Sequence, residues 1–204
     1  MENKLELLKT LRDLTKAGVA DCKNALKECN DDFDKAVEWL RLKGILKAAK
    51  LQNNTATEGA VISYIHPGNR LGVLLEVNCQ TDFVAHTDEF KSFCKDVAMH
   101  IAGRDPFPLY TSPENIPLAI LEKEMEFIAN KANEDPKFEK KPQLIRTKIL
   151  DGQLDKWKKE VSLLDQSSIK DDKKTINDLM LELSAKTGEK ISIARFTRFE
   201  LGRN

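Results

Sequence analysis

Three histidines and four cysteines are the residues that could do chemistry in this chain of 204 amino acids. The histidines fall at 66, 86 and 100, and none stands at metal-ligand spacing from a second ligand. There is no HExxH and no CxxC, so neither a zinc hydrolase nor a zinc ribbon is written here. Cys22 and Cys29 lie seven apart, which is core spacing on one helical face. Cys94 also falls at an apolar helical position, and Cys79 sits on the apolar face of a strand. Buried, reduced thiols are the expectation. No glycine-rich loop followed by a helix offers a phosphate cradle, and no serine sits in a GxSxG elbow. Catalytic residues, bound metal and cofactor are therefore all expected to be none. An acid–base pair of scattered carboxylates is the reading that would make the chain an enzyme.

A different stretch stands out. Leu74 to Cys79 is apolar and strand-like, Gln80-Thr81-Asp82 is small and polar, and Phe83-Val84-Ala85 opens a helix. A strand-to-helix corner is a poor place to bury a phenylalanine and a good place to present one. Thr81, Asp82, Phe83 and Val84 are the candidate binding tip. Core packing for Phe83 and helix capping for Asp82 are the plainer alternatives.

The surrounding pattern supplies the elements that hold this corner. Before residue 44, three apolar stripes of helical period follow one another. They are Leu5/Leu8/Leu11, then Val19/Cys22/Leu26/Cys29, then Phe33/Ala36/Val37/Leu40. Asn30-Asp31-Asp32 reads as an N-cap, and Gly44 as the left-handed stop of the third helix, with another turn or two expected over 45–51. Residues 1–55 are expected to form a small three-helix module of the ubiquitin-associated type with its linker, and 56–204 an α+β core. The loop Lys16-Ala17-Gly18-Val19 is either a connector or a docking surface.

From residue 60 the period changes to two. Val61 to Ile65 and Leu71 to Cys79 flank the turn His66-Pro67-Gly68-Asn69 as a hairpin. Thr87 caps the next helix, whose stripe is Phe90/Phe93/Cys94/Val97/Ala98/Ile101. A helical zone at 113–164 follows, with separate helices expected around 144–150 and 157–161. A last helix begins at Ile176 and stops at Gly188. The run from Ile191 to Leu201 closes a three-stranded antiparallel sheet, with a bulge or an edge where Arg195 and Arg198 break the alternation. The fold class expected is α+β: a helical bundle, then a three-stranded sheet covered by helices, with a helical insertion.

Composition sets outer bounds. Apolar residues reach 41% and charged residues 32%, with 33 basic against 33 acidic side chains. A zero balance argues against nucleic acid as the direct partner. No stretch approaches the roughly 20 apolar residues that span a bilayer, so no membrane partner is expected. The start at Met1 without a leader-like segment places the expected site of action in the cytoplasm, a bacterial one.

Two further stretches carry a resemblance. Leu11-Arg12-Asp13-Leu14-Thr15-Lys16-Ala17-Gly18-Val19-Ala20-Asp21-Cys22-Lys23-Asn24-Ala25-Leu26, continued by Ala36 to Gly44, is the first. Glu76-Val77-Asn78-Cys79-Gln80-Thr81-Asp82-Phe83-Val84-Ala85 is the second. With Lys170-Asp171-Asp172-Lys173-Lys174-Thr175 and Arg195 to Gly202, they resemble the translation elongation factor Ts family in collinear order. The resemblance implies a guanine-nucleotide exchange factor, performing no covalent chemistry. It would bind elongation factor Tu in GDP-bound and nucleotide-free forms and promote GDP release so that GTP can bind. It implies that Phe83 wedges near the magnesium and phosphate site of Tu, with Asp82 beside it, Thr81 capping the turn and Val84 supporting it. It also implies that the N-terminal module docks on the same domain of Tu. Two features depart from the family pattern. His86-Thr87 stands where the family commonly has arginine and asparagine, and the chain has one hairpin where longer members have a duplicated core. The open sheet leads to an expected homodimer, or a two-to-two assembly with Tu. A ubiquitin-associated-type adaptor is the rival reading, and it would not need the corner or the tail.

Overall fold

The computed structural model describes residues 2–15, 17 and 19–202. By its internal contacts the chain divides into two compact units. One takes in Met1–Ile62, Leu75–Asp96 and Asn177–Arg195; the other takes in Ser63–Leu74, Val97–Ile176 and Phe196–Asn204. The first unit therefore takes in the N-terminal helices, the corner and the last helix.

Helices α1 (Glu2–Thr15), α2 (Val19–Glu28) and α3 (Phe33–Leu51) open the chain. Their stripes converge on Leu11, Cys22, Ala25, Leu26, Ala36 and Leu40, all buried. The turn between α2 and α3 places Asn30 and Asp31 at positive φ (53° and 59°), a conformation that short polar side chains tolerate. Asp32 then caps α3, its Oδ1 accepting from the Lys35 N–H at 3.1 Å.

Gly44 does not end α3, contrary to the sequence expectation. The helix runs on to Leu51, and a Cβ at position 44 would stand 3.3 Å from the Cβ of Ala185. The glycine serves a close helix–helix approach rather than a left-handed stop. Ala185 belongs to α9 (Ile176–Thr187), and Arg41 of α3 reinforces the same junction through a 2.7 Å ion pair with Glu182.

The sheet has the order β1-β2-β3, antiparallel, with β1 at Glu58–Ile65, β2 at Leu71–Cys79 and β3 at Ser192–Glu200. A single hairpin joins β1 to β2, closed by the His66 N–H on the Leu71 carbonyl at 2.9 Å. In central β2, Val73, Leu75, Val77 and Cys79 are buried in strict alternation. At the start of β1, Gly59 has φ +146°, and a Cβ there would fall 2.2 Å from the Val77 carbonyl oxygen. Only glycine lets the two strands approach so closely. Edge strand β3 buries Ile193, exposes both Ala194 and Arg195, then turns Phe196, Arg198 and Glu200 inward. The alternation slips by one residue at Ala194–Arg195, and Arg198 follows the register that resumes after it. Arg195 reaches Glu76 at 2.7 Å, while Arg198 lies over the Phe107 ring at 4.4 Å and bonds Glu200 at 2.7 Å.

Beyond the corner, α5 covers Asp88–Gly103. The helical insertion consists of α6 (Leu118–Asn133), the single turn α7 (Pro136–Glu139) and α8 (Gln143–Val161). The two helices expected around 144–150 and 157–161 are one. Gly152 lies inside α8 with open space around it, so no steric reason breaks the helix there.

Candidate functional site

Strand β2 ends at Cys79, and the chain turns at once into a four-residue helix, α4 (Asp82–Ala85). Thr81, extended at φ −129° and ψ 154°, is its N-cap, and its Oγ1 accepts from the Val84 N–H at 3.4 Å. Val84 and Ala85 are buried, 9% and 8% exposed. At the other end His86 closes the turn twice on one acceptor. Its backbone N–H reaches the Asp82 carbonyl at 3.1 Å, and its Nδ1 lies 2.6 Å from the same oxygen, which gives Nδ1 the proton. Thr87 donates from its hydroxyl to the Val84 carbonyl at 2.8 Å and accepts from the Phe90 N–H at 3.3 Å. One hydroxyl thus ends α4 and starts α5. The pair His86-Thr87, which departs from the family pattern, fits this corner without an ion pair.

Phe83 stands out against this bonding. It is 82% exposed, while Phe90 is fully buried and Phe93 nearly so. Thr81 and Val84 point toward the body of the protein, and Asp82 and Phe83 toward solvent. A large apolar side chain in water is no rarity alone. Here the backbone that carries it is held by a capped turn.

A residue the sequence reading passed over holds the corner from behind. Glu189 follows Gly188, which ends α9 at φ +72°. Its Oε2 accepts from the backbone N–H groups of Gln80 (3.1 Å) and Thr81 (3.0 Å), and its Oε1 accepts from the Thr81 hydroxyl at 2.7 Å. Gln80 answers across the same junction: its Oε1 accepts from the Lys190 N–H at 2.8 Å and from Asn54 Nδ2 at 3.3 Å. The buried Ser184 hydroxyl donates to the Glu189 carbonyl, and Cys79 donates from its thiol to the Thr81 carbonyl at 3.1 Å. In sequence the one available signal is a carboxylate set between a helix-ending glycine and a strand; its target lies 108 residues away.

The other candidates occupy structural roles. His100 is fully buried. Its Nε2 donates to Gln166 Oε1 at 2.9 Å, and its Nδ1 accepts from the Ile169 N–H at 3.3 Å. Gln166 Nε2 donates in turn to the Glu160 and Pro106 carbonyls, at 2.6 and 3.1 Å. His66 pairs with the Tyr64 hydroxyl at 3.1 Å on the hairpin. All four cysteines are free thiols. Burial pushes the Cys94 thiol up to about 12, with nearby Cys79 adding to the effect. Burial, seconded by Glu189, also raises Cys79. Neither is an activated nucleophile. Among the described residues no group of three or more His, Cys, Asp or Glu side chains could hold a metal ion. No helix among them is long and apolar enough to cross a membrane.

The loop candidates divide. Ala17 is half-buried, donating from its N–H to Thr15 Oγ1 at 3.3 Å, with its carbonyl 3.7 Å from the Cys22 sulfur. Val19 opens α2 and is 51% exposed. Lys16 and Gly18 lie outside the described residues.

The corner of this α+β fold thus carries a large aromatic in solvent. The chain belongs to the elongation factor Ts family, whose model, described as Elongation factor TS, matches residues 5–203. It is 50% identical to Elongation factor Ts of Carboxydothermus hydrogenoformans over 97% of this chain and 88% of that protein. It is 49% identical to Elongation factor Ts of Thermoanaerobacter sp. over 97% of this chain and 94% of that one. For Elongation factor Ts of Thermotoga maritima the identity is 45%, over 99% and 98%. The family places the chain among the elongation factors of protein biosynthesis.

Proposed function

We propose that this chain is a guanine-nucleotide exchange factor that binds elongation factor Tu–GDP and promotes release of GDP, after which GTP binds. The observation that carries the reading is Phe83, 82% exposed on a corner bonded on both sides of it. A bound nucleotide depends on backbone donors at its phosphates and on a near-octahedral magnesium, and both tolerate little displacement. An aromatic wedge that shifts those supports weakens GDP. Asp82 beside it meets a polar group of the partner, while Thr81 and Val84 keep the tip in place. Val19 and Ala17, with Lys16 and Gly18, form a second docking element on the N-terminal module. The factor itself makes and breaks no covalent bond, and it needs no cofactor or metal of its own.

The reading is testable through linkage. If the factor weakens GDP on Tu, GDP must weaken the factor by the same ratio. Titration calorimetry against nucleotide-free Tu and against Tu–GDP should give markedly tighter binding to the first. Equal affinities would leave no coupling to drive exchange and would overturn the proposal.

We also infer self-association through the outer face of the sheet. Ile65, Leu74, Phe199 and Leu201 are 58%, 47%, 71% and 64% exposed there. A second copy presenting the same patch would cover it symmetrically. Light scattering should give a dimer alone and a two-to-two complex with Tu; a monomer in both would remove this part.

A further inference from the structure

We propose that Glu189 is a positioning residue for exchange, holding Phe83 at a fixed place through Thr81 without touching the partner. The inference rests on the exchange reading given above. Its basis is the geometry of the carboxylate. One oxygen accepts from two consecutive backbone N–H groups, Gln80 and Thr81, and the other accepts from the Thr81 hydroxyl. These are charge-assisted bonds, about twice as strong as neutral ones. They fall at the junction where β2 stops and α4 starts, two residues before Phe83. The Thr81 hydroxyl gives its proton to Glu189 and its lone pair to the Val84 N–H, so the carboxylate also fixes the direction of the cap.

Glu189 is itself well anchored. Its carbonyl accepts from the buried Ser184 hydroxyl, and its N–H lies 3.4 Å from Thr187 Oγ1. Both partners sit in the last turn of α9. That helix is tied to α3 by the Arg41–Glu182 pair and by the approach of Ala185 to Gly44. The tip is therefore braced from α9, and α9 from the N-terminal module. A wedge works only if it does not yield when pressed against its target, and misplacement by a small distance is costly where geometry sets a rate. Remove the brace and Phe83 keeps its surface but loses its backing. The maximal exchange rate should then fall while the concentration of factor giving half that rate changes little. Simple destabilisation does the opposite, because fewer active molecules shift the half-saturation point and not the plateau.

The test is release of fluorescent GDP from Tu, followed to saturation in factor, for Glu189→Ala, Phe83→Ala and the double variant. Glu189→Ala should lower the plateau about tenfold, the factor that corresponds to losing the worth of about one such bond in positioning. It should add little to Phe83→Ala. Glu189→Gln retains one oxygen for the two amide groups and should recover most of the plateau. If Glu189→Ala keeps the wild-type plateau while Phe83→Ala lowers it, positioning is refuted and the exchange reading stands. If the two losses multiply in the double variant, Glu189 does not act through Phe83 and the proposal is wrong. If Phe83→Ala itself leaves the plateau intact, the tip reading fails and this inference with it. Should Glu189→Ala lose its folded circular dichroism, Glu189→Gln is compared with Thr81→Val, which removes the hydroxyl alone; wild-type plateaus for both would refute the proposal.

Discussion

Truncating Phe83 to alanine should separate folding from function. A phenylalanine buries about 200 Å² when fully packed, and at roughly 25 cal/mol per Å² that is about 5 kcal/mol. Phe83 is 82% exposed, so only about a fifth of this is at stake in folding, on the order of 1 kcal/mol or less. The remainder, about 4 kcal/mol, is available to a partner that buries the ring, equivalent to as much as a thousandfold in affinity or rate. Ordering and desolvation costs reduce that, so a loss of at least tenfold is the working figure. The control is Phe90→Ala, a fully buried ring in the first turn of α5, which should cost about 3–5 kcal/mol of stability. Urea titrations followed by circular dichroism give the first quantity, and GDP release from Tu the second. A Phe83→Ala midpoint as low as that of Phe90→Ala would show a packed ring. Exchange within twofold of wild type, with the fold intact, would refute the wedge.

Four other outcomes follow from the structure. Burial holds the His100 imidazole below its usual 6.5, with Gln166 opposing and Arg104 assisting. The unfolded chain takes up a proton near that value which the folded chain refuses. Stability present above about 6.5 is then lost as pH falls, at up to about 1.4 kcal/mol per pH unit. Urea midpoints at two pH values should separate more for wild type than for His100→Gln; equal separation would assign the effect elsewhere. Gly59→Ala places a Cβ 2.2 Å from the Val77 oxygen at positive φ and should cost about 2 kcal/mol or more in the same titration; an unchanged midpoint would mean the strands can part without penalty. Removal of residues 1–54 should weaken binding to Tu by calorimetry and leave 55–204 folded by circular dichroism but less stable to urea, since the Arg41–Glu182 and Gly44–Ala185 contacts of α3 with α9 are lost; an unfolded remainder would make the helical module part of the core. Phe199→Lys should convert a dimer to a monomer in light scattering; a dimer that persists would place the interface elsewhere.

Much of the scaffold is legible from local rules. The change of period at residue 60, the turn at 66–69 and the hydroxyl cap at Thr87 each follow from chemistry within a few residues, whereas the Thr81 cap is implied by the family resemblance. The exposure of Phe83 is legible in part: a capped four-residue turn has one face for the core, and Val84 and Ala85 fill it. What stays hidden is whatever depends on a distant neighbour. Gly44 reads as a helix stop, because only the structure reveals Ala185 against it. Two apolar groups, at 144–150 and 157–161, read as two helices, but the backbone runs as one helix from Gln143 to Val161. Glu189 carries no local mark of its role, since a carboxylate after a helix-ending glycine is common and its three donors lie in another part of the chain.

Fluorescent GDP on Tu, mixed with one-tenth of an equivalent of this protein and excess unlabelled nucleotide, tests the central claim most directly. All the labelled GDP should leave many times faster than its spontaneous loss, with each factor molecule discharging Tu repeatedly and Phe83→Ala abolishing most of the acceleration. Release at the spontaneous rate, or acceleration of only one-tenth of the nucleotide, would contradict it.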